Sequence, residues 1–164
     1  MAGYDRDIRL ANEFMRQYPV LILGMSLRGT TYYVRGDFAA AVQDLRIASV
    51  AGAPRDRIWL FLARSRLGED GRAELAAGRS RSKPGGWPDP VVAMFLGERT
   101  PAQMQAAAVK AGKRCEGLFF AAQWHLLRGD EAGTIAAYRN VLDACPRDGT
   151  EYDHAIVELV RLAP

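Results

Sequence analysis

A five-residue turn that occurs twice constrains this chain more than any other feature. Val34-Arg35-Gly36-Asp37-Phe38 returns 93 residues later as Leu127-Arg128-Gly129-Asp130-Glu131, each time between stretches whose apolar residues keep helical spacing. Both copies predict helix–turn–helix, the glycine making the turn and the aspartate capping the helix that follows. Ahead of each turn a small residue, Gly29 or Ala122, marks a close helix approach, and Tyr32 or His125 follows three residues on. Behind the first turn come Ala41, Leu45 and Ala48, and behind the second Thr134, Tyr138 and Val141, spaced four and then three on one helical face. Each unit is expected to close on a proline, Pro54 or Pro146, where a helix does not continue.

This order of small residue, aromatic, Gly-Asp turn, helical face and terminal proline resembles the tetratricopeptide repeat (TPR), whose period is about 34 residues. A step of that length carries Met25 to Trp59 and Gly29 to Ala63, so another first helix is expected at Trp59-Leu60-Phe61-Leu62-Ala63. The resemblance implies an all-α fold, a right-handed superhelical TPR solenoid with a C-terminal capping helix, in one domain over 1–164. Its parts are half a repeat at 4–18, a repeat at 22–54, a degenerate repeat at 56–80, a helical insertion at 81–113, a repeat at 115–146 and the cap at 150–163. The degenerate repeat is expected to turn irregularly through Leu67-Gly68-Glu69-Asp70-Gly71 into a short second helix. In the insertion a breaker-rich loop precedes a short helix from Pro90 to Gly97, and Thr100-Pro101 supplies an N-cap and first residue for a helix ending at Gly112. In the cap Thr150 serves as N-cap, with Tyr152, Ala155, Ile156, Leu159, Val160 and Ala163 as the inner stripe and Glu151, Asp153, His154, Glu158 and Arg161 outside. The order Trp59, Trp87-Pro88-Asp89-Pro90, Cys115-Glu116, Trp124 and Cys145-Pro146 is similar to the carboxyl-terminal module of bacterial TPR proteins. That group is common in α-proteobacteria and includes cell-envelope lipoproteins, and the resemblance implies a non-catalytic adaptor.

Composition narrows the function classes. Hydrophobic residues make up 49% of the chain, enough for a core. The 22 Lys+Arg against 19 Asp+Glu leave a net charge of +3, and the arginines are spread from Arg6 to Arg161. A local excess of four positive charges over 55–83 has no interleaved aromatics, so a solvated basic surface is expected there rather than a nucleic-acid site. No run approaches the about 18 apolar residues of a membrane span. The opening Met-Ala-Gly-Tyr-Asp-Arg-Asp is too polar for a signal peptide. Two Cys and two His lack Cys-x-x-Cys or His-Glu-x-x-His spacing, so no metal and no cofactor is expected. The carboxylates Asp89, Glu116, Asp130 and Glu131 read as solvated helix surface.

In the last hairpin that the resemblance implies, Cys115 starts the first helix and Cys145 ends the second, so the two lie side by side. A disulfide is one reading, which would close a loop of about 30 residues and stabilise by about 3 to 4 kcal/mol; two small buried thiols are the other. The bridge would argue for the periplasm, with the signal segment upstream of this chain, and free thiols for the cytoplasm. Function in the TPR reading lies in a concave groove that binds a protein or peptide through Tyr33, Arg57, Leu60, Arg64, Phe119 and Gln123. Leu23, Ser26 and Thr30 share the first unit's groove positions, where chaperone-adaptor TPRs carry a Lys/Asn pattern that is missing here. Two other classes stay open: a homo-oligomer formed through the uncapped amino end, and an enzyme subunit using Cys145 or His125.

Overall fold

The computed structural model describes residues 2–17, 22–51, 54–79 and 85–163, which are all-α, with no strand among them. Ten helices follow in order: α1 Ala2–Gln17, α2 Ile22–Arg35, α3 Phe38–Ala51, α4 Pro54–Arg66, α5 Arg72–Arg79, α6 Asp89–Phe95, α7 Pro101–Lys110, α8 Arg114–Leu127, α9 Glu131–Ala144 and α10 Thr150–Leu162. They fall into two compact units, Met1–Arg79 and Ser80–Pro164.

The repeated turn closes α2 and α8 by the same pair of backbone bonds. Gly36 N donates to Tyr33 O and Asp37 N to Tyr32 O, each at 2.9 Å, while Gly129 N donates to Leu126 O at 3.1 Å and Asp130 N to His125 O at 3.2 Å. Both glycines hold positive φ, 90° and 71°, where a Cβ would be strained. The aspartates cap as expected: Asp37 Oδ1 accepts from Ala40 N at 3.1 Å and Asp130 Oδ1 from Gly133 N at 2.9 Å. The same bond pair ends α4, α6 and α7, so the turn after α4 is regular up to Gly68 and departs from the pattern only beyond it.

In the first unit each helix packs on the next, and α2 also meets α4. Ala41, Leu45 and Ala48 are all buried, the face that the spacing predicts. A Cβ on Gly29 would stand 2.7 Å from Leu45 Cγ, so glycine is what lets α2 and α3 close together. Pro54 is a correction: it opens α4 instead of closing the preceding repeat, because a first-turn proline lacks only an N–H that would be unpaired anyway. Ile58 through Ala63 are all buried.

In the second unit neighbours again pack in order, and α8 meets both α6 and α10. Thr134, Tyr138 and Val141 are fully buried, as the spacing predicts. The segment read as an insertion is itself a hairpin, α6 and α7. Thr100 caps α7 with a reciprocal bond from its own backbone N–H to Gln103 Oε1. Two expectations for the last helix are corrected. Its N-cap is Gly149, with no side-chain cap, and its inner face is His154, Ala155 and Glu158, while Ile156 and Val160 are 40% and 70% exposed. Glu158 tolerates burial because Arg161 pairs with it at 2.7 Å.

Candidate functional site

The six expected groove residues divide between the units. Tyr33, Arg57, Leu60 and Arg64 belong to the first, Phe119 and Gln123 to the second. Tyr33, Leu60, Phe119 and Gln123 are core residues in this structure, none more than 2% exposed. Tyr33 stands edge-on to Phe38 and Trp59, with centroids 5.4 and 5.2 Å away. Phe119 meets Phe120, Tyr138 and His154 at 5.9, 6.0 and 5.8 Å. Helical spacing put these side chains on a shared stripe, but a stripe next to a second layer of helices is packed rather than open.

The two arginines hold α5 onto α4. Arg57 Nη1 donates to Gly78 O at 2.9 Å, its stem lying where a Gly78 side chain would sit. Arg64 donates to Glu69 at 2.8 Å and to Glu74 at 2.6 Å, and those two carboxylates raise its pKa. The other groove positions split: Ser26 donates to the buried Asp56 at 2.5 Å and Thr30 to Ser26 O at 2.9 Å, whereas Leu23 is 69% exposed.

Cys115 and Cys145 stand as expected for a hairpin, at disulfide distance with Cα atoms 5.7 Å apart. His125 lies at the other end of α8, ten residues from Cys115, or about 15 Å along the axis. The structure therefore does not bring Cys145 and His125 together. His125 Nδ1 pairs instead with Asp130 Oδ2 at 2.7 Å, at the repeated turn. The Gly133 N–H and then His125 hold the Asp130 carboxyl below its ordinary range. His154 is buried, and burial pushes its pKa down to about 4, so it is neutral in the fold. Two carboxylates expected at the surface are inside: Glu116 accepts from Trp87 Nε1 at 3.0 Å and Asp89 from Gly85 N at 3.1 Å. Among the described residues no three His, Cys, Asp or Glu gather as metal ligands, and no helix is long and apolar enough to cross a membrane.

What the described surface does offer is an apolar cleft of about 360 Å³ between α1 and α2, lined by Leu10, Ala11, Leu23, Gly24 and Leu27. Leu10, Leu23 and Leu27 are 55%, 69% and 54% exposed, and Ala11 and Gly24 form its floor. Sequence reasoning placed an uncapped end here and singled out Leu23, but not the cleft. The signal for it is the run of leucines beside a small residue, Leu23-Gly24 with Leu27 one turn on. No protein-family model matches the chain, and no curated protein matches it.

Proposed function

We propose that this chain is a non-enzymatic scaffold of tetratricopeptide type that binds another protein, each unit being a piece of a right-handed helical-hairpin array. The observation that carries the reading is the pair of hairpins α2/α3 and α8/α9, which share one turn chemistry and one buried four-then-three face. The way every second helix meets within each unit, α2 with α4 and α8 with both α6 and α10, supports it, since stacked hairpins produce that alternation. Four of the six groove residues read from the sequence are core and the two arginines are bonded to α5 and the turn before it, so the contact surface proposed in their place is the α1/α2 cleft. Exposed leucines flanking a small-residue floor suit protein contact.

The cysteine pair supports an oxidising compartment such as a bacterial periplasm. Thiol titration of denatured, unreduced protein from its native compartment should find no free thiol, and two would refute the bridge. The binding role is tested by crosslinked pull-down with the wild type and a Leu23→Asp/Leu27→Asp variant. Partner proteins are expected on the wild type and lost from the variant; equal recovery would overturn the cleft.

A further inference from the structure

The two cysteines of the α8/α9 hairpin stand at disulfide distance but in opposite surroundings. Cys115 is the second residue of α8, half-buried, and directly follows the exposed Lys113 and Arg114. The first-turn N–H groups of a helix and adjoining cations both stabilise a thiolate. Glu116, the acid next to it in the chain, is buried and accepts the indole N–H of Trp87 at 3.0 Å. Cys145 caps the other kind of helix end. It closes α9, its N–H donates to Val141 O at 3.0 Å, and it is only 8% exposed. The last carbonyls of a helix disfavour negative charge, and the exposed Asp143 lies two residues before it. Arg147 and Asp148, which follow, carry opposite charges.

Thiol–disulfide exchange needs a sulfur that an incoming thiolate can reach, and a thiolate that is stable once released. Leaving-group stability alone would direct the attack to Cys145, because Cys115 is the better thiolate to expel. Burial of Cys145 closes that route. Attack therefore falls on Cys115, and the stability of its thiolate counts in the second step.

We infer that the Cys115–Cys145 bridge is an exchangeable redox site for a dithiol, with Cys115 as the sulfur through which it opens and closes. The inference rests on the bridge forming, as proposed above. In opening, a thiolate of the dithiol bonds to Cys115 Sγ while the bond between the two Sγ atoms breaks, and its electron pair leaves on Cys145, which takes a proton from water. The second thiol of the dithiol gives its proton to water and attacks its own sulfur in the mixed disulfide, expelling Cys115 as thiolate. The dithiol ends as a disulfide and the chain gains two electrons. Closing is the reverse, with the Cys115 thiolate attacking a disulfide and Cys145 resolving the mixed species.

Thiol titration of the denatured, unreduced protein comes first, because two free thiols there would remove the bridge itself rather than its exchange. With the bridge present, folded wild type is treated with glutathione, quenched by fast alkylation and mapped by peptide mass. Glutathione should be found on Cys115 and the alkyl group on Cys145; glutathione on Cys145, or on both equally, would overturn the assignment, and a bridge that opens only in denaturant would overturn exchange. The single variants give a rate. Cys145→Ser should form its mixed disulfide with glutathione disulfide about ten-fold faster than Cys115→Ser does, and the two rates should converge in urea. Equal rates in variants that keep their helical circular-dichroism signal would refute the asymmetry, and if either variant loses that signal the wild-type mapping decides. Lys113→Gln/Arg114→Gln in the Cys145→Ser chain should slow the reaction about three-fold; an unchanged rate would remove the cations from the account.

Discussion

The hairpins α2/α3 and α8/α9 begin alike and are held together differently. Both turn on glycine at positive φ, both cap with aspartate, and both bury a four-then-three face. In the first the helices touch at Gly29, and beside that contact Arg28 forms a two-pronged ion pair with the buried Asp44 at 2.5 and 2.6 Å. In the second the small residue is Ala122, the middle is aromatic through Phe119 and Tyr138, and the open end carries Cys115 and Cys145. A turn therefore sets which helices pair, and the clamp between them is an independent choice made by side chains far from the turn. One clamp is an ion pair and the other a pair of cysteines at disulfide distance.

The largest expected effect separates those clamps. Reduction, or Cys115→Ser/Cys145→Ser, should cost the second unit about 3 to 4 kcal/mol on the chain-entropy estimate for this loop. Amide hydrogen exchange resolved by helix should show α8 and α9 losing protection while α2 and α3 keep theirs. Equal loss in both hairpins, or in neither, would break the contrast.

Acid should act on the second unit next. His154 is neutral when folded, with its pKa lowered to about 4 by burial, against about 6.5 in an unfolded chain. Above about pH 6.5 neither state holds the proton and there is no effect. Between about 6.5 and 4 only the unfolded chain takes it up, so stability falls by about 1.4 kcal/mol per pH unit and levels off below. His154→Gln should lose this slope in denaturant titrations across that range, and an unchanged slope would assign the acid sensitivity elsewhere.

Arg28→Ala should destabilise the first unit by about 2 kcal/mol, less than the loss of a fully buried pair because Arg28 keeps some solvent contact. The carboxylate of Asp44 raises the Arg28 pKa, chiefly through their hydrogen bond, so the pair should persist through neutral pH. Urea midpoints measured for the variant in low and high salt should both be lowered, and the α8/α9 amides should be unmoved. The smallest effect is a test of sameness: Gly36→Ala and Gly129→Ala should each cost about 1 kcal/mol, equal within error, because each glycine ends its helix left-handed by the same bonds. Unequal costs would mean that the surroundings, and not the turn, set the strain.

Local features were the legible ones. The two turns, the capping by Asp37 and Asp130, the Thr100 cap and the short helix over 72–79 depend on contacts within about four residues, and the buried faces at 41/45/48 and 134/138/141 follow helical spacing. The helices α6 and α7 were legible as well, and only their pairing as a hairpin was not, since that depends on contacts between the two. Site residues were the least legible. Arg57 and Arg64 carry the same charge whether they meet a partner or, as here, Gly78 O, Glu69 and Glu74 across a hairpin.

The sequence by itself determined that this protein is helical, where it turns twice in the same way, and that Cys115 and Cys145 share one end of a hairpin, because helix periodicity, capping and glycine's positive φ act over a few residues. Only the tertiary structure decided which stripe of α10 faces inward and which of the groove residues read from the sequence are covered. In α10 it turned His154 and Glu158 in and left Val160 out, since burying a polar face costs little once Arg161 pairs with the carboxylate and the imidazole is neutral. The α1/α2 cleft belongs to the same class, since Leu10 and Leu23 become neighbours only when two helices are brought together.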